Sequence, residues 1–286
     1  MHSGHSRKAM QAALFLLFVS TAGAATEPKK LAVVRPVFSQ IEDGEVAAAD
    51  DTFVPGETIH FRCLIEGYKK GEKDAILLSY QVEARDSQGN LLQNIQQGKV
   101  DSTVSPEDKD WLPKVRESIV VPPLADSGEY HVIVKVKDEL AGATAEGTAK
   151  FLVKGREVAP SDTLIVRNFR FLRGEEDSKP LAVAAYRPGD VLWARFDMTG
   201  YKLGEKHEFD IEYGLTVLRP DGSVAYAEPH AAAQKDQTFY PQRFQPGVLS
   251  LNFPKDQAHG EYTIVLEVQD KLGNQKYEQR EKFSIE

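Results

Sequence analysis

A single cysteine, Cys63, occurs in 286 residues. That excludes an internal disulfide framework and any cluster of metal-binding thiolates. Cations are in deficit, with 35 Lys and Arg against 43 Asp and Glu and a formal net charge of −8. The chain as a whole therefore has no electrostatic reason to seek nucleic acid or an anionic membrane surface. No stretch beyond the N-terminal segment approaches the roughly 20 apolar residues of a spanning helix. There is no Asn-x-Ser/Thr sequon, which favours a bacterial envelope over a glycosylated eukaryotic exterior. Catalytic signatures are missing too: no Gly-x-Ser-x-Gly elbow, no Walker loop, and no Asp-x-Asp-x-Asp-Gly calcium loop. His60, His131, His207, His230 and His259 form no local zinc spacing, so no metal and no cofactor is expected.

Against these absences stands a composition that is 41% hydrophobic and 27% charged, which suits buried cores rather than disorder. The N-terminus reads as a secretory signal. Arg7 and Lys8 precede an apolar run from Ala9 to Val19, and Ala22-Gly23-Ala24 is a small-residue cleavage site. Residues 1–24 are expected to be removed, leaving a secreted or periplasmic product.

An internal repeat organises the remainder. Phe53-Val54-Pro55-Gly56-Glu57 recurs as Tyr186-Arg187-Pro188-Gly189-Asp190, and the same offset carries Arg62 to Arg195, Gly67-Tyr68-Lys69 to Gly200-Tyr201-Lys202, and Gly71-Glu72-Lys73 to Gly204-Glu205-Lys206. One residue less separates Gly128-Glu129-Tyr130 from Gly260-Glu261-Tyr262, Asp138 from Asp270, and Phe151 from Phe283. Each copy alternates apolar with polar residues, as in Ile59, Phe61, Cys63, Ile65 and Leu192, Ala194, Phe196, Met198, the period of a half-buried strand. Turn chemistry at Gln88-Gly89-Asn90, Pro220-Asp221-Gly222 and Leu272-Gly273-Asn274 separates the strands. Only Ala231 to Gln237 offers a helical pattern, of one or two turns at most. The expectation is an all-β chain of two tandem Ig-like antiparallel sandwiches, residues 25–154 and 161–286, joined by a linker at 155–160.

Asp126-Ser127-Gly128-Glu129-Tyr130-His131-Val132 resembles the corner before the penultimate strand of immunoglobulin-type sandwiches, where a tyrosine two residues before the usual cysteine bonds back across the turn. The resemblance implies that Val132 occupies the place of that cysteine, opposite Cys63. In the second copy Phe196 and Ile264 take the two positions, so packing replaces the bridge. The aromatic-x-Pro-Gly start, the apolar strand carrying Arg62 or Arg195, and the Gly-x-Tyr lead at Gly128 and Gly260 are similar to the macroglobulin-type Ig-like domains of the complement and protease-trapping family. That resemblance implies the domain type alone. Cys63 is followed by Leu64 rather than the Gly-Glu-Gln of a thioester, so no trapping mechanism comes with it.

Two places in this framework can contact a partner. The repeated Gly-Tyr-Lys-x-Gly-Glu-Lys segment forms the B–C connection at one end of each sandwich, where Tyr68, Lys69, Tyr201 and Lys202 offer aromatic surface and positive charge. The other reading of the segment is that its glycines make turns, its tyrosine packs under the loop and its charges are solvated. Strand parity also turns Trp193 and Arg195 outward, either as a contact platform or as a surface covered by a loop or by the other copy. Trp111 is expected near the start of strand E. The acidic groups Asp50-Asp51, Glu107-Asp108 with Asp110, and Glu175-Glu176-Asp177 lie in polar loops, unlike the desolvated pairs of glycosidases.

The reading that follows is a non-catalytic exported binding module whose partner is a protein or an envelope polysaccharide. A carbohydrate-binding accessory protein and a hydrolase using loop carboxylates are the alternatives. The C-terminal strand, Lys276 to Ile285, is expected as an open edge for strand addition, with oligomeric state left open.

Overall fold

The structure is a computed structural model that describes residues 29–105, 107, 108 and 110–286; residues 1–24, expected to be a signal, lie outside the described residues. Sixteen strands and two single 3-10 turns account for its regular structure. The first half contributes β1 (Ala32–Ser39), β2 (Thr52–Phe53), β3 (Thr58–Glu66), β4 (Ala75–Arg85), β5 (Gln96–Thr103), β6 (Lys114–Val120), β7 (Gly128–Asp138) and β8 (Thr144–Val153). The second contributes β9 (Ile165–Leu172), β10 (Ala185–Tyr186), β11 (Val191–Thr199), β12 (Glu208–Leu218), β13 (Val224–Gln237), β14 (Phe244–Asn252), β15 (Gly260–Asp270) and β16 (Gln275–Ile285). Each half pairs a three-stranded sheet, β1-β3-β6 or β9-β11-β14, with a five-stranded one, β2-β8-β7-β4-β5 or β10-β16-β15-β12-β13. All pairings are antiparallel except the two-residue contacts β2–β8 and β10–β16.

The alternation along β3 and β11 decides which side chains meet. Ile59, Phe61, Cys63 and Ile65 point inward from β3 and are buried, as are Leu192, Ala194, Phe196 and Met198 from β11. Opposite them lie Tyr130, Val132, Val134 and Val136 of β7, and Tyr262, Ile264, Leu266 and Val268 of β15. Cys63 is a free thiol, and Val132 belongs to the same packed cluster. Both corners carry the expected tyrosine bond: the Tyr130 hydroxyl donates to the Asp126 carbonyl at 2.8 Å and the Tyr262 hydroxyl to the Ala258 carbonyl at 2.8 Å.

One expectation needs correction and another a narrower bound. Residues Ala231 to Gln237 are not helical; they form the end of β13, where Ala232 to Gln237 pair with Glu208–Tyr213 of β12. A run this short cannot pay the nucleation cost of a helix when a ladder partner is already in place. The C-terminal strand β16 is not a free edge along its whole length. It is hydrogen-bonded to β15 throughout, and β10 covers only its last residues, Ser284 and Ile285, so among the described strands Lys276 to Phe283 has its outer side unpaired, as β5 and β13 do along their length.

The two halves also touch. Tyr240, from the segment before β14, packs into the hydrophobic cluster of the first half and donates its hydroxyl to Asp86 Oδ2 at 2.9 Å. Asp86 already organises its own turn, accepting from Gln88 N at 2.9 Å and from Asn90 N at 2.8 Å. Arg243 Nε lies 3.7 Å from Asp126. The connecting segment is held at both ends, by Ser127 Oγ donating to the Gly155 carbonyl and by Asn168 Nδ2 donating to the Glu157 carbonyl.

Burial pushes the Cys63 thiol up to about 12, so the nucleophilic thiolate is scarce at neutral pH. A disulfide-exchange reagent such as Ellman's is expected to label Cys63 in guanidinium within mixing time and in native protein only at the rate of unfolding. Fast native labelling would contradict a closed core. Tyr240→Phe removes one hydrogen bond from a buried carboxylate and is expected to lower stability by about 1–2 kcal/mol in chemical denaturation.

Candidate functional site

The B–C connections are built the same way twice. Gly67 and Gly200 have φ of +72° and +76°, and a Cβ on them would stand 2.2 Å from the Lys30 carbonyl oxygen and 2.0 Å from that of Thr163. Only glycine permits that crossing. The next turn is held by a carboxylate at the end of the neighbouring strand. Asp138 Oδ2 accepts from Lys69 N at 2.7 Å, while its Oδ1 accepts from Leu140 N at 2.9 Å and Ala141 N at 3.0 Å. Asp270 does the same for Lys202 N at 2.8 Å, Leu272 N at 3.0 Å and Gly273 N at 2.9 Å. Both aspartates are buried, at 1% and 0% exposure, so these bonds are made away from competing water. Their recurrence in the repeat was visible in the sequence. Their role was not, because each reaches a loop 68 or 69 residues away.

The tyrosines of these loops are supports. Tyr201 is buried and donates its hydroxyl to the Gln242 carbonyl; Tyr68 is half-buried and donates to the Trp111 carbonyl at 3.0 Å. Burial raises both phenols above their ordinary pKa. Lys69 and Lys202 are exposed, and among the described residues neither ammonium has a carboxylate within 4.0 Å. Beside the first loop is a depression of about 710 Å³ lined by Lys29, Arg35, Tyr68, Lys69 and Trp111, the indole standing 41% exposed just before β6.

Trp193 and Arg195 do face away from the core, on the outer side of β9-β11-β14, and both are half-buried. Trp193 lies between Leu172 and Ser250 in register, and Arg195 between Arg170 and Val248. The Arg195 guanidinium donates to the Glu175 carbonyl. Below it Asp197 is completely buried. It accepts from Asn168 Nδ2 at 2.9 Å and faces Arg156 Nη1 at 3.0 Å, an ion-pair distance without hydrogen-bond alignment. Asn168 reaches it because a bulge between Arg167 and Arg170 sets its φ to +52°. Trp193 lies near the start of β11 and Tyr201-Lys202 follow its end, so roughly 25 Å of strand separates them at about 3.3 Å per residue. They do not form one site.

The outward residues of β4 and β7 went unmarked in the sequence because they carry no motif. They line a groove of about 800 Å³ on the first five-stranded sheet with Lys99, Lys135, Lys137 and Tyr80. Lys135 pairs there with Glu83 at 2.8 Å and Lys137 with Glu139 at 2.6 Å. The loop carboxylates do not converge. Asp51 caps Ala48 N at 2.7 Å and Asp177 caps Gly174 N at 2.9 Å, each within its own turn. Among the described residues no group of three or more His, Cys, Asp or Glu is arranged to hold a metal ion, and no helix is long and apolar enough to cross a membrane.

No protein-family model and no curated protein sequence matches the chain. Solved structures similar to it include the C-terminal domain of the AgI/II polypeptide BspA of Streptococcus agalactiae, with 11% identity, 89% of this chain and 99% of that one covered, and a TM-score of 0.30. The C-terminal domain of the Streptococcus pyogenes antigen I/II-family protein AspA shows 9% identity over 88% of this chain and 99% of that one, with a TM-score of 0.29. The native conformation of E. coli alpha-2-macroglobulin shows 12% identity over 91% of this chain and 17% of that one, with a TM-score of 0.28. Scores this low carry no argument about a site, and they do not single out the macroglobulin type. The all-β sandwich architecture stands on the sheets themselves.

Asp270→Ala strips three backbone N–H groups of their acceptor, and is expected to cost roughly 3 kcal/mol or more. Amide exchange should accelerate at Lys202, Leu272 and Gly273 while Lys69, Leu140 and Ala141 stay protected. Uniform acceleration in both halves would refute a local clamp.

Proposed function

We propose that the chain is a non-catalytic, exported interaction module of two Ig-like units, 25–154 and 161–286 with a linker at 155–160, which makes protein contacts in the cell envelope. The observation that carries this reading is the B–C loop built twice on a buried aspartate and a hydroxyl-anchored tyrosine. Each loop is thereby preorganised, so little ordering entropy remains to be lost when a partner binds. What the loops present is Lys69 and Lys202, exposed on an acidic chain, with Tyr68 and Tyr201 fixing them from below. Trp193 and Arg195 offer a separate contact face on the second unit. An exported product in the periplasm or outside the cell fits the N-terminal signal pattern.

A carbohydrate-binding accessory role is the second reading, favoured by Trp111 standing exposed beside Tyr68 over the same depression. Aromatic faces of this kind stack on apolar sugar faces as readily as on protein.

Cross-linking the full chain in an envelope fraction, with and without Lys69→Ala and Lys202→Ala, tests the leading reading. Recovery of specific partners is expected to fall roughly tenfold in the double variant, the equivalent of about 1.4 kcal/mol of binding, with melting unchanged. Undiminished recovery removes the loops from the interface. Loss on adding soluble envelope polysaccharide, together with Trp111→Ala sensitivity, selects the carbohydrate reading.

A further inference from the structure

The outer faces of the two three-stranded sheets carry the same electrostatic problem and solve it differently. On the first, Arg62 of β3 stands directly across from Arg116 of β6. Like charges so placed destabilise a ladder. The chain answers with its own acidic loop: Asp43 lies 3.3 Å from Arg62, 2.9 Å from Arg116 and 3.5 Å from Lys114. Glu42 adds a contact to Arg116 at 3.7 Å. Burial alone would raise the Asp43 carboxyl, yet Arg116, Lys114 and Arg62 together hold it below the usual carboxylate range.

On the second, Arg195 of β11 stands directly across from Arg170 of β9, and Arg167 follows on the same strand. Here no carboxylate closes the pair. Among the described residues, no carboxylate oxygen comes within 4.0 Å of Arg167, Arg170 or Arg195. The loop after β9 does contain Glu175, Glu176 and Asp177, with Glu176 at the position the repeat assigns to Asp43. That loop offers Arg195 only the Glu175 backbone carbonyl, while Asp177 is turned onto Gly174 N. Asp197 is engaged beneath the face by Arg156 and Asn168. Arg167 Nε is buried with no hydrogen-bond partner, a donor in want of an acceptor. Desolvation, followed by the charge of Arg156, lowers the pKa of Arg170, the buried Asp197 opposing this from beneath and Arg195 adding to it.

We propose that the Arg170–Arg195 pair, flanked by Trp193, binds a carboxylate-bearing acidic peptide segment of a partner protein, in the manner in which Arg62–Arg116 holds Glu42-Asp43. The occupant is argued from the chain itself, since an acidic peptide already fills the matching face of the first half. Planar guanidinium forks suit a carboxylate, and the half-buried indole supplies apolar cover beside them. The inference rests on the interaction-module reading and names the partner chemistry of one of its faces.

The test uses the full chain and a fluorescein-labelled peptide with the sequence of residues 40–46, Gln-Ile-Glu-Asp-Gly-Glu-Val, read by anisotropy. Saturable binding is expected that weakens with added salt and is lost when the peptide acids are replaced by Gln and Asn. Arg170→Gln with Arg195→Gln is expected to weaken it about tenfold or more, consistent with loss of charge-assisted bonds. Arg195→Lys, which keeps the charge and perturbs the sheet least, should lie between. Lys276→Ala, an exposed lysine on β16 of the other sheet, should bind the peptide as the parent does. Flat anisotropy, equal binding by the arginine variants, or displacement by polygalacturonate of a weaker peptide signal overturns the proposal, the last in favour of an acidic glycan. If the peptide fails while partner recovery still depends on Lys69 and Lys202, this inference falls alone; if both fail, the interaction reading falls with it.

Discussion

Each half must hold a three-stranded sheet against a five-stranded one with no covalent cross-link, so the inward side chains of β3 and β7, and of β11 and β15, do what a disulfide does in many sandwiches of this shape. The magnitudes allow it. A fully buried large apolar side chain contributes roughly 1.5–3 kcal/mol, and a disulfide about 2–4 kcal/mol, so two packed hydrophobes match one bridge. Phe196 and Ile264 meet that condition in the second half and Cys63 with Val132 in the first, all of them essentially inaccessible to solvent. Because burial is non-directional, it fixes which faces meet but not how the loops at the ends are shaped.

Directional bonds supply that shape. Asp138 and Asp270 each gather three backbone N–H groups from two separate segments, one across the sandwich and one in the adjoining turn. The tyrosines at Tyr68 and Tyr201 tie the same loops to the segment that leads into the next strand of the smaller sheet. A loop held at both ends in this way varies little in conformation, and its exposed lysines are then displayed in constant positions. The same logic joins the halves, where Tyr240 carries a hydrogen bond into the turn built by Asp86.

Once the inner faces are consumed by packing, the outer faces are left to carry specificity. Charge there is not spread evenly. The first three-stranded sheet neutralises its arginines with its own loop, whereas the second leaves Arg170 and Arg195 facing each other with the nearest acidic loop turned aside. A chain with net charge −8 thus carries a local cationic ladder that whole-chain arithmetic conceals.

The sequence by itself determined the all-β class, the inward residues, the tyrosine corners and the glycines at the loop crossings, because each depends on spacing along one strand or turn. Periodicity of two names a face without knowing its partner. The buried aspartates, the Tyr240 contact, the strand made by Ala231 to Gln237 and the unneutralised arginine pair were decided only by tertiary structure. Each joins residues far apart in the chain, and register across a sheet, rather than order along it, sets whether Arg195 meets Arg170 or an acid.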